Sequence, residues 1–132
     1  MTTLPQGENL IKQVFLDADW PAPEIAIGLQ NEAQPRGPEF ILLQVDYEGS
    51  VSETQGTIRR YRRWGVVRII IHTRLNIGTA RATALGKAAL DACEGQNAGG
   101  VIFTAGLPQH RGRVGNWYVL EIEAVFKYFE HK

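Results

Sequence analysis

The sequence predicts an α+β protein: a mostly antiparallel sheet with two main helices packed on one face. Two segments, Leu4–Leu16 and Thr79–Cys93, space apolar residues three and four positions apart, which is the period of an amphipathic helix. Other segments alternate apolar and polar residues or are rich in β-branched and aromatic residues, as strands are. Short loops between adjacent strands favour antiparallel pairing with helices on one side. The predicted strands are Ile25–Leu29, Phe40–Tyr47, Thr57–Thr73, Gly99–Leu107 and Trp117–Glu130.

Particular residues are predicted to begin, bend or end these elements. Thr3 and Gln6 are spaced for a capping box at the start of the first helix. Thr79 suits the N-cap of the second helix and Gly95 its end. Gly65 predicts a bulge or bend in the long strand. The connecting segments predicted as loops or turns are Asn31–Pro38, Glu48–Gln55 and the basic segment Pro108–Asn116.

Length and composition indicate one globular domain over residues 1–132. The chain has 44% apolar and 21% charged residues, and its 14 basic residues balance its 14 acidic ones. That neutrality argues against a protein that coats nucleic acid, and nucleic acid is not expected as a specific ligand. Cys93 is the single cysteine, which suits a reducing compartment, and no apolar run approaches the length of a membrane span. We therefore expect a cytoplasmic protein that does not enter a membrane.

Motifs for catalysis are weak, so we predict a protein that is not an enzyme and has no cofactor, metal or catalytic residues. The three histidines lie in different segments without metal-ligand spacing. Cys93 falls near the end of a helix, where a packed core thiol is the expected role. Glu121 and Glu123 share one face of a predicted strand, and a solvated or partner-facing strand edge is their ordinary interpretation. A small enzyme built around Glu121, Glu123 and His110 stays open as an alternative.

The most unusual local feature is the run Arg59-Arg60-Tyr61-Arg62-Arg63-Trp64. In a strand its even-numbered residues share a face with Arg68, and its odd-numbered residues share the other. Arginines between aromatic residues suit phosphates and bases, or carboxylates of a neighbouring subunit. Since the chain is neutral, we expect a compensating acidic surface, which favours association between complementary faces. Its candidate residues are Asp17, Asp19, Asp46, Glu48, Glu121 and Glu123. The interface candidates are Arg59, Arg60, Arg62, Arg63, Arg68, Arg111, Arg113, Glu121 and Glu123.

Six segments follow one another in a characteristic order and together cover most of the chain. They are the first helix ending near Asp19-Trp20-Pro21, strand Phe40–Tyr47, Gly56–Thr73 with its Arg-Arg-Tyr-Arg core, the Gly78-Thr79-Ala80 entry to an alanine-rich helix, Gly115-Asn116-Trp117-Tyr118, and the closing strand to Phe129. In this order of segments the chain resembles the phage tail terminator proteins, the minor tail protein U-like group with its prophage relatives.

The resemblance implies a structural protein that forms a ring, commonly of six copies, on the end of the tail tube. Such a ring stops tube polymerisation and joins the tail to the head. Its partners would be further copies of itself, the tail tube protein and a head-completion protein, in the host cytoplasm during assembly and then in the virion tail. A ring needs two different faces that meet, and the arginine-rich strand and the carboxylate-bearing face are the candidates. A head–tail connector (neck) protein and a small nucleic-acid-binding module are the alternatives.

Overall fold

The computed structural model describes residues 3–21, 25–30, 32, 34–35, 37–52 and 59–131. Within these ranges the chain forms two helices and six strands, in an α+β fold as the sequence predicts. The helices are α1 (Leu4–Leu16) and α2 (Ala80–Cys93). The strands are β1 (Ala26–Gly28), β2 (Phe40–Ser52), β3 (Arg60–Arg74), β4 (Asn97–Ala98), β5 (Val101–Val114) and β6 (Trp117–His131).

The strands form one sheet in the order β1-β2-β3-β6-β5-β4. Among the strands that the structure describes, the four long ones are antiparallel to one another, and the short β1 pairs in parallel with the start of β2. At the centre, β3 and β6 pair along their whole length without a register shift, from Arg60 beside His131 to Arg74 beside Trp117. This uninterrupted register fixes which side chains share a face.

The first helix begins and ends where the sequence predicts. Thr3 and Gln6 form the expected capping box: the Gln6 N–H donates to Thr3 Oγ1 at 3.3 Å and the Thr3 N–H donates to Gln6 Oε1 at 3.1 Å. Pro5 falls in the first turn, where a missing N–H costs nothing. Gly7 lies so close to the Tyr128 ring that a Cβ at this position would come within 2.8 Å of Tyr128 Cζ.

The second helix is also present, with one difference at its start. Thr79 occupies the residue before Ala80, but its backbone is already helical and its side chain makes no capping hydrogen bond. Gly95 follows the last turn with φ +69°, the left-handed conformation that commonly ends helices. Gly86 lets the helix approach the sheet closely, since a Cβ there would lie 2.8 Å from Leu120 Cδ2.

One apolar core joins the helices to the sheet. It includes Ile11 and Phe15 of α1 and Leu85 and Ala89 of α2, all fully buried. The strand residues in this core alternate along each strand, so they define a core face of the sheet. They are Ile41, Leu43 and Val45 of β2, Val67, Ile69 and Ile71 of β3, Leu120, Ile122, Ala124, Phe126 and Tyr128 of β6, and Val101 and Phe103 of β5.

One predicted loop and the first part of one predicted turn are wrong, because the chain there is paired in the sheet. The segment Pro108–Asn116 is strand as far as Val114, and only Gly115 and Asn116 form a turn before β6. Its backbone groups pair with β6. The pairing is interrupted by register shifts between Phe103 and Gly106 and between His110 and Gly112, as β-bulges produce.

Likewise, β2 continues through the first part of the predicted turn Glu48–Gln55, as far as Ser52. Its irregularity lies between Tyr47 and Gly49, opposite Gly65, rather than in β3 itself. A Cβ at Gly65 would come within 2.1 Å of the Asp46 carbonyl oxygen, so the close approach requires glycine there. The rest of the predicted turn, 53–55, and the first two residues of the predicted long strand, 57–58, lie outside the described residues, as do 31, 33 and 36 of the predicted loop.

Candidate functional site

The face of the sheet opposite the core carries a network of charged side chains that crosses four strands. Its members, which we call the charged network, are Asp46 of β2, Arg68 of β3, Glu121 and Glu123 of β6, and Arg111 of β5. Arg68 Nε donates to Asp46 Oδ2 at 2.6 Å, and Arg68 Nη1 donates to Glu123 Oε1 at 2.7 Å and to Glu121 Oε1 at 3.3 Å. Arg111 Nε donates to the other oxygen of Glu121 at 2.7 Å.

The network contradicts the expectation that basic and acidic residues form two separate, complementary faces. Arg68 and Arg111 lie on the same face as Glu121 and Glu123 and neutralise them within one chain, leaving a single net negative charge. The hydrogen bonds that Arg68 donates to Asp46, foremost, and to Glu121, together with the charge of Glu123, raise the pKa of Arg68. The expectation that the glutamates lie at a strand edge is also wrong, because β6 lies between β3 and β5.

At one end of the same face, cationic and aromatic side chains form what we call the arginine–aromatic ladder: Arg60, Arg62, Trp64, Lys127 and Phe129. The register places Arg62 beside Phe129 and Trp64 beside Lys127. The Arg60 guanidinium lies 3.8 Å from the centre of the Phe129 ring, and that of Arg62 lies 5.2 Å from the Trp64 ring. Cations at such distances are attracted to ring faces.

Trp64 owes its position to Gly49 on the neighbouring strand. A Cβ at Gly49 would come within 2.1 Å of Trp64 Cζ2, so the indole covers the glycine and lies across β2. Any larger residue at this position would displace the indole ring. The ladder is therefore a sheet surface with a supported aromatic ring, although the sequence alone gave no sign that Lys127 and Phe129 belong to it.

The odd-numbered arginine Arg63 points to the other face, as the alternation predicts, and pairs with a buried carboxylate. Arg63 Nε donates to Glu130 Oε1 at 2.8 Å, and the Leu4 N–H donates to Glu130 Oε2 at 2.9 Å. The carboxylate thus satisfies an amide in the first turn of α1, where the helix dipole favours negative charge. Sequence analysis missed this role of Glu130.

A hydrogen-bonded tyrosine pair lies next to this ion pair. The hydroxyl groups of Tyr47 and Tyr128 are 3.0 Å apart, and burial raises the pKa of both phenols. Both hydroxyls therefore stay protonated at neutral pH, which suits a structural contact better than a nucleophile.

The remaining two interface candidates lie apart from these groups. Arg59 precedes β3 and is exposed. Arg113 is exposed near the β5–β6 turn, and its Nε donates to the Gly115 carbonyl oxygen at 3.3 Å. The structure therefore brings together Arg68, Arg111, Glu121 and Glu123, and separately Arg60 and Arg62.

The groups of the enzymatic alternative do not converge. His110 pairs in register with Leu120, which is on the core face, whereas Glu121 and Glu123 lie on the opposite face. His110 Nδ1 instead lies 2.5 Å from the Tyr118 hydroxyl, at a cleft of about 260 Å³ between α2 and β5. Burial lowers the pKa of the other described imidazole, His72, which stacks on Phe40 with ring centres 4.2 Å apart. Across the described ranges no three His, Cys, Asp or Glu side chains are grouped to hold a metal ion, and neither helix is long and apolar enough to cross a membrane.

Cys93 is a fully buried core thiol, as predicted, and burial raises its pKa to about 11. We expect native protein at pH 8 to resist labelling by iodoacetamide, because the thiolate is the reactive form and is scarcely populated. Unfolding in urea should restore labelling at the ordinary rate of a free thiol. Because the folded-state pKa is raised above the unfolded value of 9.0, the contribution of this thiol to stability is present below pH 9 and declines towards pH 11. Rapid labelling of folded protein at pH 8 would contradict this assignment.

No protein-family model matches the sequence, and no curated protein is significantly similar to it.

Proposed function

We propose that this protein is a structural phage tail protein that assembles as a ring on the end of the tail tube, stops its polymerisation and joins it to the head. The observation that carries the assembly is the composition of the sheet face opposite the core. There, exposed apolar side chains border a charged network whose groups are already paired with one another. The order of elements that resembles the tail terminator proteins supports the more specific role.

Two exposed apolar residues border the charged network. Leu107 of β5 is 54% exposed and pairs in register with Glu123, and Val125 of β6, 43% exposed, follows on the same face. Protein interfaces commonly combine an apolar centre with arginine-containing polar groups. Because Arg68 and Arg111 already bind the three carboxylates, a partner that covers the network meets one net negative charge rather than three unpaired ones, which would be far costlier to bury.

The edges of the sheet are less suitable for assembly than this face. On β2, the Val45 N–H is taken by the Gln30 side chain, which accepts at 2.8 Å. On β5, Pro108 lacks an N–H, and two register shifts disturb the strand. Proline and bulges are common means of preventing strand addition at an edge. We therefore propose that the neighbouring subunit does not add to a sheet edge. It binds the face opposite the core, and both helices pack on the core face.

Particles made when the gene carries an early stop codon test the proposal. We expect electron microscopy to show tails of uncontrolled length, detached from filled heads, and wild-type protein supplied in trans to restore normal particles. Tails of normal length on intact heads would refute the terminator role.

The same assay tests whether the sheet face opposite the core is the interface between subunits. We expect Leu107→Arg with Val125→Arg to fold but fail to restore normal tails, because each change places a charge where apolar contact is needed, at a cost of about 2 kcal/mol or more per interface. Ile77→Arg is the matched control, since Ile77 is equally exposed but lies in the turn between β3 and α2. Full restoration by the double variant would exclude this face as the interface.

A further inference from the structure

Two exposed cations of the arginine–aromatic ladder, Arg60 and Lys127, have no carboxylate partner within the part of the chain that the structure describes. This differs from the charged network a few residues along the same strands, where Arg68 and Arg111 are both bound to carboxylates. The two regions thus have different chemistry: one is internally paired, and the other offers cations.

Two aromatic rings lie among these cations on the same face. Trp64 lies over Gly49 in the register position beside Lys127, and Phe129 lies under the Arg60 guanidinium. A guanidinium stacked on a ring still presents N–H groups at its edge, and these match phosphate oxygens. Aromatic side chains on a flat sheet are the surface on which unpaired bases stack.

We infer that the ladder is a binding site for single-stranded nucleic acid, with Arg60 and Lys127 contacting phosphates and Trp64 stacking against a base. The inference goes beyond the proposed ring and does not depend on it. An acidic protein surface would bind the cations but not the aromatic rings between them. A nucleic acid strand would bind both, so the alternation of cations and rings favours nucleic acid. Phosphate contacts and stacking read no base sequence, which agrees with the expectation from the neutral composition that nucleic acid is not a sequence-specific ligand.

Fluorescence anisotropy with labelled oligodeoxythymidylate of about 20 nucleotides tests this site. We expect binding at about 50 mM salt that weakens as salt is raised to about 200 mM, because bound phosphates release counterions. In Arg60→Ala with Lys127→Ala, the slope of log affinity against log salt should become shallower by about 1.4, since each phosphate contact on a single strand contributes about 0.7. Arg74→Ala is the matched control: Arg74 is also an exposed arginine of β3, but lies at the opposite end of the strand.

The stacking contribution has its own variants. Trp64→Leu should weaken binding at least about fivefold, and Trp64→Phe should retain most of the affinity because a ring remains. Circular dichroism establishes that each variant is folded. No binding at low salt, or a slope unchanged by removing Arg60 and Lys127, would overturn the inference. If those substitutions alter self-association in sedimentation velocity while oligonucleotide binding stays at the wild-type level, the ladder is a protein interface and the inference is also overturned.

Discussion

Glu130→Ala should lower the free energy of unfolding by about 3 kcal/mol, a large share of the 5–15 kcal/mol typical of a domain. Glu130 is 7% exposed and binds two donors from distant parts of the chain, Arg63 of β3 and the first amide of α1. Alanine leaves the guanidinium, itself largely buried, without this carboxylate and also removes a negative charge from the start of α1. Urea unfolding followed by circular dichroism measures the loss.

A double-mutant cycle with Arg63→Ala separates the ion pair from the contact to α1. Since Glu130 and Arg63 bind each other, each single variant already loses their ion pair. We therefore expect the double variant to be more stable than the sum of the single losses indicates, by about 1 kcal/mol or more. Thr3→Ala is a useful reference, because it weakens the start of α1 by about 1 kcal/mol without touching the ion pair. A loss below about 1 kcal/mol for Glu130→Ala, or strict additivity with Arg63→Ala, would show that the pair contributes little.

Local sequence patterns predicted the helices well because the determinants of helix ends are local. Thr3 and Gln6 are three residues apart, and the whole capping box can be read from their spacing. Thr79 shows the limit of the same reasoning: the residue is suitable, but the backbone there is already helical, so its hydroxyl does not cap. The alternation of the segment 59–64 correctly separated Arg63 from Arg60 and Arg62, because strand period is also a local property.

The sites depended on pairing between distant segments, which no local pattern specifies. Arg68 meets Asp46, Glu121 and Glu123 only because β3 lies between β2 and β6 in register. The basic segment after Pro108 has the composition of a loop, yet β6 supplies a strand partner for it, and bulges accommodate Gly106 and Gly112. Tertiary pairing thus overrode turn-like composition, and it placed basic and acidic residues that were expected on different faces in one network with a single net negative charge.

Arg68→Met should lower the free energy of unfolding by about 2 kcal/mol at neutral pH. The substitution keeps most of the apolar stem but leaves Asp46, Glu121 and Glu123 together, with only Arg111 as a counter-charge. We reduce the expected loss from the 3–5 kcal/mol of a fully buried pair, because the Arg68 side chain is 31% exposed and solvent screens part of the interaction.

Restoring the charge balance provides the decisive comparison. Adding Asp46→Asn and Glu123→Gln to Arg68→Met should recover most of the lost stability at neutral pH, because the remaining Glu121 is still paired with Arg111. Arg74→Met is the control for loss of an exposed arginine of β3 and should change stability by less than about 0.5 kcal/mol. A deficit that the neutral triple variant does not reduce would mean that Arg68 acts through the packing of its stem. In that case ion pairs would not stabilise the sheet face opposite the core. A partner that covers this face would bind a surface whose stability comes from its apolar residues alone.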